Sequence, residues 1–341
     1  MAPLVSVIMA VFNCENFVQY AIESVLSQTF QDFELIIVDD ASTDGTVDIL
    51  QRYMDNEKVV FIQNTTNKER SYSRNLAIHS AKGEYVAIMD ADDICLPDRL
   101  EKQFAYLQTH PEIDVLGSNL EIIDDYNTLL GTKSDYPSEH AEIVWASVFK
   151  TCIANGTVLM KTSRVRSVGG YNIDLNGGED TELWLRMMQS GSRFGNLADV
   201  LCRVRVNERQ KRDVQKNSGI SYKNRKLFLE MLLDCEISDG DYEAFRRIVN
   251  YKIKSDISSL EFFNYSNLVI STFTAMKSCG ILLQNDTEVL LDKICRYILY
   301  IANKWVGAES KLLLPALKKV ETIEWLKLFW ECKKGYLKIR R

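Results

Sequence analysis

Through the first part of the chain, short apolar segments alternate with segments whose apolar residues recur at helical spacing. This alternation is typical of β-α-β units that build a mainly parallel sheet. A helix is also expected to begin near Pro97, because proline favours the first turn of a helix. The pattern predicts strands at residues 5–10, 35–38, 59–62 and 85–89, and helices at residues 16–28, 46–54 and 72–80.

Beyond residue 99 the pattern becomes mixed. It predicts strands at residues 115–123 and 156–160, a helix at residues 141–149 and an amphipathic helix that opens with Glu179 and Asp180. Residues 208–226 are rich in lysine and arginine and poor in apolar residues, which predicts a mobile loop or linker; a basic flap over a diphosphate is the alternative. From Leu227 onward the helical spacing predicts an α-helical C-terminal region, which would either cap the first domain or form an oligomerisation surface.

Three carboxylates, Asp90, Asp92 and Asp93, follow the strand predicted at residues 85–89. Like charges so close together repel one another unless a cation or hydrogen-bond donors lie between them, and a divalent metal is the natural neutraliser. In an open α/β sheet, ligands bind beyond the carboxyl ends of the strands. The alternative is that Asp92 or Asp93 caps the helix that begins near Pro97.

Polar residues also follow the second and third predicted strands. The Asp39 carboxylate suits the N–H edge of a base or a ribose hydroxyl, although it could instead cap the next helix. Lys68, Arg70 and Arg74 could meet a diphosphate, but any one of them alone is more typical of a solvated surface charge. Three strands therefore end in polar residues at one edge of one sheet, which predicts a nucleotide site.

Glu179 and Asp180 follow a loop with glycines on both sides, and glycine allows close backbone approach. A carboxylate that enters a cleft opposite a metal site is where a general base is placed. The alternative is an acid that stabilises the positive end of its own helix.

Absent motifs and composition narrow the functional class. Without a G-x-G-x-x-G after the first strand or a G-x-x-x-x-G-K-[ST] anywhere, the dinucleotide-binding and P-loop classes are excluded. The net charge of −6 over 341 residues argues against general nucleic-acid binding. Eight cysteines without a C-x-x-C pair argue against a zinc site, suit a reducing cytoplasm and are expected to be buried. The three histidines, His79, His110 and His140, are expected at the surface or in structural roles.

Six segments together resemble glycosyltransferase family 2, the inverting enzymes of the GT-A fold, across roughly residues 4–207. Each segment alone is weak, but their order and spacing are specific. The segments are VSVIMAVFN at 5–13, VDDASTDGT at 38–46, RN at 74–75, GEYVAIMDADD at 83–93, PDRL at 97–100 and EDTELWLR at 179–186.

The resemblance implies an α/β GT-A fold, Rossmann-like, with a mainly parallel central sheet flanked by helices. Residues 1–215 would form the nucleotide-sugar-binding and catalytic domain, and residues 216–341 the helical C-terminal region. The donor would be a nucleotide-sugar, most often a UDP-sugar. The acceptor would be a hydroxyl of a saccharide or of a lipid-diphosphate-linked saccharide, in the synthesis of a bacterial surface polysaccharide.

The resemblance also implies roles for single residues. Asp90 and Asp92 form the family's D-x-D, with Asp92 the more direct ligand of Mg²⁺ or Mn²⁺ and Asp90 nearer the ribose; the metal stabilises the leaving group. Asp180 corresponds to the catalytic base, and Glu179 is the next candidate. The donor-binding residues would be Ala10, Phe12, Asn13, Asp39, Arg70, Arg74, Asp90, Ala91 and Asp92. Two segments depart from the family's pattern: AVFN at 10–13, where relatives often have Pro-x-Tyr-Asn, and RVRVN at 203–207, where many have Arg-x-His.

Two other functions compete with that of a glycosyltransferase. A nucleotidyltransferase should carry a glycine-rich, lysine-bearing loop, which residues 10–16 lack. A non-catalytic nucleotide- or glycan-binding protein on the same fold would be expected to lose Asp92 or Asp180, and both are present.

The last predicted helix, at residues 320–341, has apolar residues at helical spacing and lysines and arginines near its end. This pattern is typical of peripheral attachment to an anionic membrane surface, and a packed core with a solvated tail is the alternative. No apolar run approaches the roughly 20 residues of a spanning helix, and no segment resembles a signal peptide. The expected location is therefore the cytoplasm or the inner face of the membrane.

Overall fold

The computed structural model describes residues 2–175, 177–206, 208–249, 259–283 and 286. The chain divides into two compact units, residues 1–225 and 226–341. The predicted domain division between residues 215 and 216 stays a prediction. The proposed membrane helix at residues 320–341 lies outside the described residues.

The strands of the described residues form one sheet. They are β1 (Val5–Val11), β2 (Phe33–Asp39), β3 (Val59–Gln63), β4 (Tyr85–Asp90), β5 (Ile94–Cys95), β6 (Val115–Ile123), β7 (Leu129–Lys133), β8 (Leu159–Lys161) and β9 (Phe194–Arg205). Their order is β3-β2-β1-β4-β8-β6-β9-β5, and β7 pairs with β6.

The half of the sheet from β3 to β4 is parallel. β1 lies between β2 and β4, and β3 pairs with the outer side of β2. Nearly every residue of β1 and β2 is buried, because both faces of a parallel sheet are covered. Beyond β4 the sheet is mixed, since β8 runs antiparallel to both β4 and β6. The predicted α/β fold and its first four strands are confirmed.

The described residues also form ten α-helices. They are α1 (Val18–Leu26), α2 (Thr46–Gln51), α3 (Glu69–Ser80), α4 (Arg99–Thr109), α5 (His140–Ser147), α6 (Thr162–Ser167), α7 (Glu179–Gln189), α8 (Glu208–Leu233), α9 (Asp239–Val249) and α10 (Ser259–Ser278). In α1, residues Val18, Ala21, Ile22 and Val25 are buried, which is the spacing that predicts one apolar helix face.

Two predicted elements are wrong. Residues 156–160 do not form one strand: Asn155–Thr157 is a 3-10 helix, and β8 begins only at Leu159. The Thr157 hydroxyl donates to the Ala154 carbonyl at 2.8 Å, which stabilises the tight turn. Residues 208–226, predicted as a loop or linker, lie in α8. Lysine, arginine and glutamine are good helix formers, so a low apolar content did not preclude a helix here.

The cysteine and histidine predictions have mixed outcomes. The six described cysteines form no disulfide, but Cys235 and Cys279 are exposed, so the expectation that all cysteines are buried is wrong for these two. The histidines are surface or structural, as expected: His140 is buried and its Nδ1 accepts from the Phe194 N–H at 3.1 Å. Among the described residues, no helix is both long and apolar enough to cross a membrane.

The backbone of Gly83 packs against β1 without room for a side chain. A Cβ at Gly83 would lie 2.6 Å from the Ser6 nitrogen and 2.8 Å from the Val5 carbonyl carbon. We expect Gly83→Ala to lower the free energy of unfolding by about 1–3 kcal/mol, because the backbone of β1 or of residue 83 must shift. Urea denaturation followed by circular dichroism measures this.

Gly131→Ala in β7 is the matched control, because a Cβ there meets nothing within 4 Å. Equal denaturation midpoints for the two variants would contradict the assigned close approach.

Candidate active site

The carboxyl ends of β1, β2 and β4 lie side by side. Val11 is level with Asp39, and Ala10 is level with Asp90. The polar residues predicted at separate strand ends therefore meet at one edge of the sheet, on either side of β1.

We call residues 90–93 the acid loop. Asp90 is partly exposed, Asp92 is half-buried and Asp93 is buried. Burial raises the pKa of the Asp93 carboxyl well above its ordinary value, and the charges of Asp92 and Asp90 raise it further. The loop thus concentrates negative charge where a cation or a hydrogen-bond donor would be favoured.

The acid loop is not a helix cap. α4 begins at Arg99 with Asp98 as its N-cap residue, so the alternative that Asp92 or Asp93 caps this helix is wrong. Instead, the Cys14 thiol donates to the Ala91 carbonyl at 3.3 Å. Burial, followed by the charge of Asp92, raises the pKa of this thiol to about 12, so it stays protonated as a donor.

Arg74 of α3 joins the acid loop to the start of α7. Its Nη2 lies 2.7 Å from Asp90 Oδ1, and its Nη1 lies 3.1 Å from Glu179 Oε1. Arg74 and Glu179 are both buried, and the guanidinium also lies over the Tyr171 ring, 5.3 Å from its centroid. Arg70 is half-exposed, with its Nε 3.7 Å from the same Glu179 oxygen. Of the predicted diphosphate-binding cations, Arg74 therefore already holds two carboxylates.

Glu179 and Asp180 occupy the first turn of α7. The N-cap residue of α7 is Gly178, whose φ of +67° favours glycine. The Glu179 carboxylate accepts a hydrogen bond from Arg74 Nη1, whereas Asp180 Oδ1 accepts one from the N–H of Thr181 at 2.6 Å. Burial raises the pKa of Asp180, and the charge of Glu179 raises it further. The two neighbouring acids thus lie in chemically different surroundings.

The Asp39 carboxylate is fully buried at the end of β2. Its Oδ2 accepts from the Ser42 N–H and the Gln63 amide, each at 3.2 Å, so it does not cap α2. Its Oδ1 has no hydrogen-bond partner among the described residues. A buried carboxylate oxygen without a donor is costly, so this atom suits a donor supplied by a ligand.

The end of β1 and the loop after β2 are held together by side chains. Asn13, with a φ of +48°, accepts the Thr43 N–H on its Oδ1 at 2.8 Å. Glu15 accepts the Gly45 N–H at 2.7 Å. Phe12 beside them is 44% exposed, which leaves its ring accessible to a flat ligand.

The sequence matches a family of known proteins. Residues 6–157 match the family model described as glycosyl transferase family 2. The chain is 39% identical over 207 residues to EpsE of Bacillus subtilis (strain 168), a glycosyltransferase by name, and the match covers 60% of this chain and 73% of EpsE. The chain belongs to glycosyltransferase family 2. The predicted family and its enzyme class are confirmed.

A second relative is WfaP of Escherichia coli, named UDP-Glc:alpha-D-GlcNAc-diphosphoundecaprenol beta-1,3-glucosyltransferase. It is 35% identical over 204 residues, which are 59% of this chain and 77% of WfaP. Among solved structures, S. aureus TarS 1-349 in complex with UDP-GlcNAc has a TM-score of 0.56 at 19% identity, covering 90% of this chain and 89% of that chain. At this identity the likeness shows the fold, which confirms GT-A.

Three residues of this family 2 site were not singled out from the sequence. A Cβ at Gly156 would lie 3.2 Å from Asp93 Oδ2 and 3.3 Å from Asp90 Oδ2, so this glycine borders the acid loop. The Tyr171 hydroxyl donates to Asn155 Oδ1 at 2.7 Å, next to Gly156. These contacts join segments distant along the chain, and no local sequence pattern indicates them.

Arg74→Gln tests the bridge between the acid loop and α7. We expect it to lower the free energy of unfolding by about 3–5 kcal/mol, because the buried Glu179 then loses its nearest cation and keeps only the half-exposed Arg70 at 3.7 Å. Urea denaturation followed by circular dichroism measures the difference.

Arg70→Gln is the matched control, since its side chain is 50% exposed and 3.7 Å from Glu179. We expect a change of about 0–1 kcal/mol there. Equally small effects of both substitutions would refute the structural role of Arg74.

Proposed function

We propose that this chain is a metal-dependent inverting glycosyltransferase, which moves a sugar from a UDP-sugar to a hydroxyl of a saccharide or lipid-linked saccharide. One observation carries the proposal. A single guanidinium, that of Arg74, spans Asp90 at 2.7 Å and Glu179 at 3.1 Å. The acid loop and the first turn of α7 are therefore within one side chain of each other, which suits a donor diphosphate and an acceptor base at one site.

The nucleotide would bind at the ends of β1 and β2. The unpartnered Asp39 Oδ1 supports this, because the N–H of a uracil ring would supply the donor that this oxygen lacks. The exposed Phe12 ring is available as a wall beside the base. Asp90, next to β1, would meet the ribose.

The acid loop fits a hard divalent cation, because carboxylate oxygens are the ligands that Mg²⁺ and Mn²⁺ prefer. No three acidic, histidine or cysteine side chains of the described residues form a ready-made metal cage. That suits Mg²⁺, which is usually held by one or two carboxylates together with substrate phosphates and water. Asp92 would hold the ion, with Asp90 beside it. When bound, the ion would supply charge stabilisation for the departing diphosphate.

Asp180 would act as the general base. It would take the proton from the acceptor hydroxyl as that oxygen forms its bond to the anomeric carbon and the bond from this carbon to UDP breaks. A single displacement inverts the configuration at that carbon. The raised pKa of Asp180 brings the base closer to the operating pH, which favours proton transfer.

The name of WfaP supports a lipid-diphosphate-linked saccharide as acceptor and surface polysaccharide synthesis as the setting. A hexosyl or N-acetylhexosaminyl group is the proposed cargo. Such an acceptor would place this protein at the inner face of the membrane, where residues 320–341 could attach it.

A donor screen tests the proposed function. The full-length chain is incubated with UDP-, GDP- and dTDP-sugars, with Mn²⁺ or with EDTA, and release of the nucleoside diphosphate is measured. We expect UDP to be released from a UDP-sugar when Mn²⁺ is present and not when EDTA is present. Release from no nucleotide-sugar, or equal release with EDTA, would count against the proposal.

Asp92→Asn should abolish the metal-dependent part of UDP binding and leave the fold intact, because an amide is a far poorer ligand for Mn²⁺ than a carboxylate. Calorimetric titration of UDP with Mn²⁺ measures this. Asp98→Asn is a suitable control, because Asp98 lies outside the acid loop and pairs with Lys102 at 2.9 Å. If Asp92→Asn binds UDP with the unmodified affinity, the assigned metal ligand is wrong.

Asp180→Asn should keep the affinity for UDP and lower the rate of sugar transfer by about 10²–10⁴-fold, because a positioned general base contributes a factor of that size to the rate. The base acts only when deprotonated. We therefore expect kcat of the unmodified enzyme to fall as the pH falls through the pKa of Asp180, which burial places above its ordinary value.

The residual activity of Asp180→Asn should lack this acidic decline. Transfer at a near-normal rate would move the base elsewhere, with Glu179 the next candidate. Stopped assays of kcat across pH with saturating donor distinguish these outcomes.

A further inference from the structure

Arg205, the last residue of β9, is 1% exposed. Its guanidinium donates to three oxygens: Nε to the Asp92 carbonyl at 2.9 Å, Nη1 to the Asp124 carbonyl, and Nη2 to Asn127 Oδ1 at 2.6 Å. The plane of the group also lies over the Phe17 ring, 4.4 Å from its centroid. A cation that is always charged is thus buried against the acid loop.

Arg205 holds the acid loop at two points. Besides the bond to the Asp92 carbonyl, the Arg205 N–H donates to Asp93 Oδ1 at 2.8 Å. The first bond fixes the backbone carbonyl of Asp92, and the second fixes the side chain of Asp93, the next residue. The direction of the Asp92 carboxylate depends on that backbone, although Arg205 need not touch the carboxylate itself.

The Arg205 side chain also connects the acid loop to a second segment of the chain. Asp124 and Asn127 belong to the turn between β6 and β7, so the guanidinium joins this turn to the acid loop. All three guanidinium acceptors are neutral oxygens, which leaves its positive charge to offset the neighbouring carboxylates. Lysine could not reproduce the arrangement, because one ammonium lacks the planar fork that reaches three acceptors.

We propose that Arg205 is a positioning residue, which holds the Asp92 backbone carbonyl and the Asp93 carboxylate so that the Asp92 carboxylate can bind a divalent cation together with the donor diphosphate. The inference rests on the metal-dependent function proposed above. It assigns Arg205 no contact with the sugar or the reacting atoms.

The test compares UDP affinity in Mn²⁺ and in EDTA for full-length variants. Arg205→Lys and Arg205→Gln should lose about 10–100-fold of the affinity that Mn²⁺ contributes, as is typical when the support of a metal ligand is removed. Their affinity for UDP in EDTA should stay unchanged. A merely structural role would weaken UDP binding in both conditions.

Arg203→Gln is the matched control. Arg203 lies two residues earlier on β9, is 44% exposed and bonds Glu121 at 2.8 Å. We expect the Arg203→Gln variant to keep the unmodified ratio between its UDP affinity in Mn²⁺ and its UDP affinity in EDTA.

Asn127→Gly provides a milder variant should removal of the buried arginine unfold the chain. It removes one acceptor of Arg205, and glycine tolerates the φ of +63° at this position. A smaller loss of the Mn²⁺ contribution is expected, with unchanged affinity in EDTA.

Two outcomes separate failure of this inference from failure of the proposed function. If the unmodified chain binds UDP equally in Mn²⁺ and in EDTA, the metal-dependent function fails, and the inference fails with it. If the unmodified chain depends on Mn²⁺ and the folded Arg205 and Asn127 variants keep the full Mn²⁺ contribution, only the role of Arg205 is overturned.

Discussion

Repulsion among the three carboxylates of the acid loop, at the end of β4, is the constraint that organises this site. Each carboxylate meets it in a different way. Asp90 is paired with Arg74 at 2.7 Å, and Asp93 is buried with a raised pKa and accepts the Arg205 N–H. Asp92, between them, is half-buried on a backbone that Arg205 holds. Two buried arginines from distant segments are thus needed to keep three acids close together, and a cation bound at the loop would relieve the same repulsion.

The sequence predicts the elements that carry the acids because their pattern is local. β1, β2 and β4 are nearly continuous apolar runs, which is how strands buried on both faces read. β7 was not predicted because its side chains are mostly exposed, so no apolar pattern exists there. The two-residue β5 is too short to show a period, and the exposed and partly buried residues in the middle of β9 do not alternate regularly. The strands that can be predicted from the sequence are therefore the buried ones, and strand propensity alone does not reveal the others.

The contacts that complete the site could not be predicted in the same way. Arg74 and Glu179 are 105 residues apart, and the residue types alone allow Arg74 to pair with a ligand as readily as with a carboxylate. The sequence shows Arg205 only within a segment that departs from the family's Arg-x-His pattern, and it does not indicate what this arginine contacts. The sequence does not indicate that Gly156 lies near Asp90 and Asp93, because this closeness depends on how the 3-10 helix follows α5. Such pairings are properties of the folded chain.

The adjacent acids of α7 show why a motif does not by itself assign roles. Glu179 and Asp180 are neighbours in sequence and share the positive end of one helix, so the helix dipole does not distinguish them. Their partners do: the Glu179 carboxylate is fixed between Arg74 and Arg70, whereas desolvation raises the pKa of Asp180. The Arg74 guanidinium lies 3.1 Å from Glu179 Oε1, so this carboxylate is engaged in an ion pair inside the protein. Glu179 therefore holds α3 to the start of α7, and Asp180 is the residue that fits the proposed role of general base.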